Sequence, residues 1–110
     1  MSKRTDALYL DDIINCIRKI EEYTKGLSWD QFFVDEKTVD AVIRNLEIIG
    51  EASNNISKEL KDKNPNVPWI EIIGMRNKIV HEYFGVDNEI LWKTIKEDIE
   101  RLKIQIQDLK

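Results

Sequence analysis

The stretch 35-DEKTVDAVIRNLEIIGEASNNISKEL-60 decides the fold. Val39, Val42, Leu46, Ile49, Ser53, Ile56 and Leu60 recur at intervals of three and four, with Ile43 and Gly50 alongside. That spacing lines up one face of a helix and reads as the seam of a helical bundle. Asp35 is placed as N-cap, so the helix is expected to start there and to run to about Lys58 or beyond. A glycine inside a helix costs about 1 kcal/mol relative to alanine. Gly50, followed by Ala52 and Ser53, is therefore expected to admit close approach of another helix, within the chain or across a dimer.

Outward toward the N-terminus, Leu10, Ile13, Ile14, Ile17 and Ile20 form an apolar stripe on a helix expected over Asp6 to Lys25. Gly26 is its stop, and Lys25 suits the negative helix end. Cys16 sits at the edge of the stripe with no charged neighbour placed to lower its pKa, so it reads as a packing residue. In the connector, Ser28 can cap a brief turn, and Trp29, Phe32 and Phe33 read as a plug closing one end of the bundle. Base stacking is the competing use of such aromatics, but basic residues are lacking nearby.

Outward toward the C-terminus, Asn64-Pro65 and Val67-Pro68 break the chain. A third helix is expected from about Pro68 to Tyr83, with Trp69, Ile72, Ile73, Ile79 and Val80 buried. Gly85 then makes the turn and Asp87 caps a fourth helix. Trp92, Ile95, Ile99, Leu102, Ile106 and Leu109 run along it to the end of the sequence. Four helices with short links predict an all-α, antiparallel four-helix bundle.

The 110 residues are read as a single domain over 1–110. One cysteine excludes an internal disulfide and a multi-cysteine zinc site, which fits a cytoplasmic setting. No stretch approaches the roughly 20 apolar residues of a membrane span, so no membrane association is expected. A net charge of −4 argues against a broad non-specific nucleic-acid binder. It leaves RNA open as a substrate, since a local cluster of charge sets the field in a cleft. Lys58, Lys61, Lys63 and Lys78 are the candidate RNA contacts; for the first three, cations at a helix C-terminus are the simpler account.

Chemistry is concentrated in 75-MRNKIVHEYF-84, which holds the only histidine, His81. On an ideal helix Arg76 and His81 point about 140° apart and lie about 7.5 Å apart along the axis, whereas Arg76 and Tyr83 share a face. A histidine can take or give a proton at neutral pH, and an arginine can grip phosphate oxygens in a bidentate way. Together they are a sensible minimum for cleaving RNA without a metal. One histidine cannot easily serve as base and acid at once, and a two-fold axis through this helix would supply a second. A histidine held near a helix end by the dipole fits the same spacing. No metal site is expected: Glu47 and Glu51 are four apart, but no second histidine accompanies them, and they read as surface charges. No cofactor-binding fingerprint is present.

The run R-N-K-I-V-H-E-Y resembles the signature of HEPN domains, and its H-E-Y ending is similar to the H-x-Y form of the HepT-like toxins. The stretch Arg44 to Ala52, R-N-L-E-I-I-G-E-A, resembles the second helix of that family, and Trp69 to Asn77 resembles the lead-in to its motif. The resemblance implies a HEPN-like four-helix bundle that forms a homodimer through its motif-bearing helices. It implies a metal-independent RNase toxin of a type VII-like toxin–antitoxin system, acting on tRNA or mRNA without a cofactor. Arg76 and His81 would be the catalytic pair and Asn77 their support. Tyr83 would receive AMP from an MNT-type nucleotidyltransferase antitoxin. A non-catalytic HEPN module that binds a nucleotide or positions a nucleotidyltransferase is the alternative, and a plain helical dimerisation domain a third.

Overall fold

A computed structural model describes residues 5–81 and 85–110. They are mostly helical. Helix α1, Asp6–Thr24, is capped by the Thr5 hydroxyl, which accepts the Leu8 N–H. Beyond its C-cap, Lys25, comes Gly26, whose φ of 75° is open to glycine at no steric cost. Helix α2, Trp29–Phe33, carries a capping box in which Ser28 and Gln31 satisfy each other's backbone N–H. Helix α3, Glu36–Asn55, starts where expected, with Asp35 Oδ1 accepting the Thr38 N–H at 3.2 Å.

Helix α3 stops earlier than the periodicity predicts. Ile56 is extended, and Ser57 caps a new helix, α4, Lys58–Lys63. The break is held from a distance: Asp6 accepts both the Ser57 N–H, at 2.9 Å, and its hydroxyl, at 2.6 Å. That pairing, 51 positions apart, favours a cap over another helical turn.

The expected third helix is also divided. Helix α5, Trp69–Ile73, ends at Gly74, and α6, Met75–Ile79, follows it directly. The backbone then extends. Strand β1, Val80–His81, pairs antiparallel with β2, Gly85–Val86, so that His81 faces Gly85. Three local features favour this ladder over a helix that runs on past Ile79. Val80 is β-branched, Gly85 has φ 76°, and the Asp87 N–H donates to the Ile79 carbonyl.

The fourth expected helix begins as predicted, with Asp87 capping α7, Asn88–Lys93, by accepting the Ile90 N–H. It continues through a π-helical turn, Thr94–Asp98, into α8, Ile99–Gln107.

The core lies where α1 and α3 form the most extensive helix pair, with α8 laid on α1 and α5 on α3. Ile13, Ile17, Ile20, Val42, Ile49, Ile79 and Ile106 are buried there. The Cys16 thiol is buried too, and burial pushes its pKa up, which suits packing and not reactivity. Lys103 and Glu21, 2.9 Å apart, tie α8 to α1. Phe32 is buried in a cluster with Phe33, Trp29 and Trp92, which closes one end of the helices. Gly50 does admit a neighbour from within the chain: an added Cβ would lie 3.1 Å from the Ile73 carbonyl oxygen of α5. No described helix is long and apolar enough to cross a membrane.

Candidate functional site

Arg76 and Asn77 are the second and third residues of α6, just past the Gly74 break. The Asn77 N–H donates to the Gly74 carbonyl at 3.1 Å, closing the first turn of this short helix. Both side chains are exposed, and both line a groove of about 420 Å³. Its other wall is α3, which contributes Glu47, Gly50, Glu51 and Asn54. The absent side chain at Gly50 lets α5 approach α3, and that sets where α6 begins. Backbone packing therefore places Arg76 against the α3 wall.

Among the described residues, the side chains of Arg76 and His81 carry no hydrogen bond or ion pair. An exposed guanidinium at the edge of an open groove can grip phosphate oxygens through its planar fork of donors. His81 is exposed at the end of β1. Arg76 and Asn77 thus share one groove, and His81 is not among the residues that line it. The helical angle between Arg76 and His81 no longer applies, because the helix ends at Ile79. The expected modification site, Tyr83, lies outside the described residues.

The four lysines proposed for RNA contact have different surroundings. Lys58 pairs with Asp62 at 2.7 Å, which raises its pKa, and Lys63 pairs with Glu59 at 3.0 Å. Lys61 donates to the Asn54 carbonyl at 3.3 Å. Lys78, on α6, has no such partner among the described residues.

Glu47, Glu51 and Asn54 as neighbours of Arg76 were not foreseen. Glu47 and Glu51 do face solvent, as expected of surface charges, but they also form the α3 wall of the groove. The signal was present: positions 47, 50, 51 and 54 share one helix face, centred on the glycine. What they would face was not legible. Among the described residues no group of three or more His, Cys, Asp or Glu side chains is arranged to hold a metal ion.

Comparison with known proteins places this geometry in a family context. The HepT-like ribonuclease family profile matches residues 13–109. A protein of Thermococcus cleftensis described as a probable ribonuclease HepT is 50% identical over 98% of both chains. A candidate RNase of Methanocaldococcus jannaschii is 43% identical over 97% of this chain and 98% of its own. Another, of Caldanaerobacter subterraneus subsp. tengcongensis, is 42% identical over 96% and 95%. No solved structure gives a significant match.

Proposed function

This chain belongs to the HepT-like ribonuclease family, and from that premise we propose that it is a metal-independent ribonuclease, the toxin of a type VII-like toxin–antitoxin pair. The observation that carries this reading is Arg76, exposed beside Asn77 at the rim of an open groove and without an ion pair or hydrogen bond among the described residues. The substrate is RNA, tRNA or mRNA. The 2′-hydroxyl of one nucleotide attacks the adjacent phosphorus as a base takes its proton. The 5′-oxygen leaves with a proton from an acid, and a 2′,3′-cyclic phosphate remains. His81 moves protons in these steps, and Arg76 stabilises the charge gathering on the phosphoryl oxygens. Asn77 supports their geometry.

Within one chain Arg76 and His81 do not share a groove, which supports a homodimer as the working unit. A two-fold axis near α5 and α6 brings the motif of one protomer to face that of its partner and supplies two imidazoles, one as base and one as acid. The exposed Ile70 and Ile73 on α5 support burial of this face. In this reading residues 1–110 form one HEPN-like domain, a four-helix bundle with α1, α3, α5–α6 and α7–α8 as its helical arms. The protein is cytoplasmic. Its partner is an MNT-type nucleotidyltransferase antitoxin that transfers AMP to the hydroxyl of Tyr83. The added phosphodiester brings a negative charge and a purine next to the motif, where they compete with the RNA backbone.

That His81 does not line the groove of Arg76 also favours a second reading, a non-catalytic module that holds a nucleotide or a nucleotidyltransferase. Cleavage of total cellular RNA, including tRNA, by the purified protein in EDTA separates the two. Arg76→Ala and His81→Ala are run in parallel and checked for folding by circular dichroism. The ribonuclease reading expects cleavage by the wild type alone. Absence of cleavage by wild type free of AMP, verified by mass, selects the binding module. Tyr83→Phe is expected to cleave RNA and to resist modification.

A further inference from the structure

A second groove, of about 430 Å³, runs along the opposite side of α6, between α5–α6 and the α7–α8 helix. Its floor is apolar. Ile72, Met75, Ile99 and Leu102 are all buried and present hydrocarbon upward. Ile90, 38% exposed, lies at one edge. Three cations, Lys78, Lys93 and Arg101, stand on its rim and are exposed.

The clustering of these cations sets the groove apart, since Arg18, Lys19 and Lys37 also lack an ion pair among the described residues but line none of the grooves described. Elsewhere Lys58, Lys63, Lys103 and Arg44 are paired with carboxylates. Lys110 is paired with Asp11. None of the three rim cations has an ion pair or hydrogen bond among the described residues. Two carboxylates, Glu71 and Asp98, line the same groove without engaging them, so the rim keeps an excess of positive charge on a protein of net charge −4. An excess cation cluster above a low-dielectric floor focuses its field outward, toward an anion. The groove also follows the π-helical turn, which contributes Thr94 and Asp98 to its lining. Such turns are often found at functional positions.

Continuity with the candidate site indicates which anion. Arg76 and Lys78 are two residues apart on one helix, about 200° around its axis. Helix α6 is therefore a ridge about 10 Å across, with Arg76 on one flank and Lys78 on the other. A strand whose phosphate rests on Arg76 crosses that ridge to reach Lys78, and continues along α7–α8 past Lys93 to Arg101. We infer that this groove is a second binding track, which holds single-stranded RNA flanking the phosphate bound at Arg76. Phosphates lie on Lys78, Lys93 and Arg101, while sugar and base faces cover Met75 and Ile90. The carboxylates of Glu71 and Asp98 accept hydrogen bonds from base amino groups and 2′-hydroxyls. This inference rests on the ribonuclease reading and adds a surface that extends substrate recognition beyond the cleaved bond.

The test uses a short 2′-O-methyl oligonucleotide, which cannot be cleaved, and measures affinity against salt by fluorescence anisotropy. The triple variant Lys78→Gln, Lys93→Gln, Arg101→Gln is compared with a charge-matched control, Arg18→Gln, Lys19→Gln, Lys37→Gln. Each phosphate neutralised on a single strand contributes about 0.7 to the slope of log affinity against log salt, so three lost contacts lower its magnitude by about 2. The control variant is expected to keep the wild-type slope. Equal slopes for wild type and the groove variant overturn the inference, and that is also the result if the groove holds a protein segment. Equal loss in both variants overturns it as well, since the effect is then one of net charge. The readout is independent of catalysis: a slope difference in a protein that cuts no RNA would defeat the nuclease chemistry and leave the track standing. A wild type that binds no RNA defeats the track.

Discussion

Gly50 of α3 and Ile73 of α5 meet backbone to side-chain void: a Cβ on Gly50 would stand 3.1 Å from the Ile73 carbonyl oxygen and 3.4 Å from that of Ile72. Three residues beyond Ile73 is Arg76, on the groove that Gly50 also lines. The closeness of two backbones thus sets the position of the candidate catalytic arginine.

Gly50→Ala tests that relationship. Alanine gains about 1 kcal/mol of helix propensity, while its methyl pushes a backbone carbonyl that has little freedom to move. The two effects are expected to leave the melting temperature within a few degrees of wild type. RNA cleavage is expected to fall by about 10-fold or more, because a small displacement of Arg76 is costly to phosphate alignment. Gly50→Leu is expected to lower the melting temperature as well. Thermal denaturation and a cleavage assay on the same preparations check both.

Ile70 is 84% exposed on α5, and Ile73 lies on the same face. Ile70→Asp removes nothing from the core, so circular dichroism and melting of the monomer are expected to be little changed. In sedimentation experiments the variant is expected to shift from dimer to monomer, with loss of RNA cleavage. A variant that remains dimeric and active would show that the two-fold axis lies elsewhere.

The Asp6 carboxylate, held by the hydroxyl and N–H of Ser57, has its pKa lowered, chiefly by the side-chain hydrogen bond. A carboxylate depressed in the folded state adds stability in full above its unfolded value of 3.8, and that stability is lost as the pH falls through the lower folded value. Asp6→Ala is therefore expected to be less stable than wild type at neutral pH, with the gap closing below about pH 4. Urea denaturation at several pH values reads this directly.

Phe32 is fully buried against Phe33 and Trp92. Phe32→Ala is expected to cost about 3–5 kcal/mol. The milder Phe32→Leu is expected to lose part of that stability and to bind RNA with wild-type affinity. Weaker RNA binding by a folded Phe32→Leu would revive the aromatic cluster as a stacking surface.

Much of this architecture is local and was legible residue by residue. Thr38, Gln31 and Ile90 donate their N–H groups to caps at Asp35, Ser28 and Asp87, each three positions back, and such pairs read directly from sequence. The apolar stripes of α1, α3 and α8 became the core because three-and-four spacing aligns one face wherever the helix is placed. The R-N-K-I-V-H run identified the candidate residues themselves.

Other features depend on residues far apart in sequence, and only the tertiary structure decided them. Asp6 ends α3 by capturing Ser57, which no pattern near Ser57 announces. At Val80 the chain leaves the helix for a two-residue ladder, where the pairing of the Asp87 N–H with the Ile79 carbonyl adds to the local preferences of Val80 and Gly85. That event puts Arg76 on a helix and His81 on a strand, so the fixed angle of a continuous helix no longer relates them. The charges of Glu47, Glu51, Lys93 and Arg101 were plain in the sequence, but their distances from α6 were not. A side chain's chemistry is set by its identity; its partners are set by backbone packing, which here turns on the missing Cβ of Gly50.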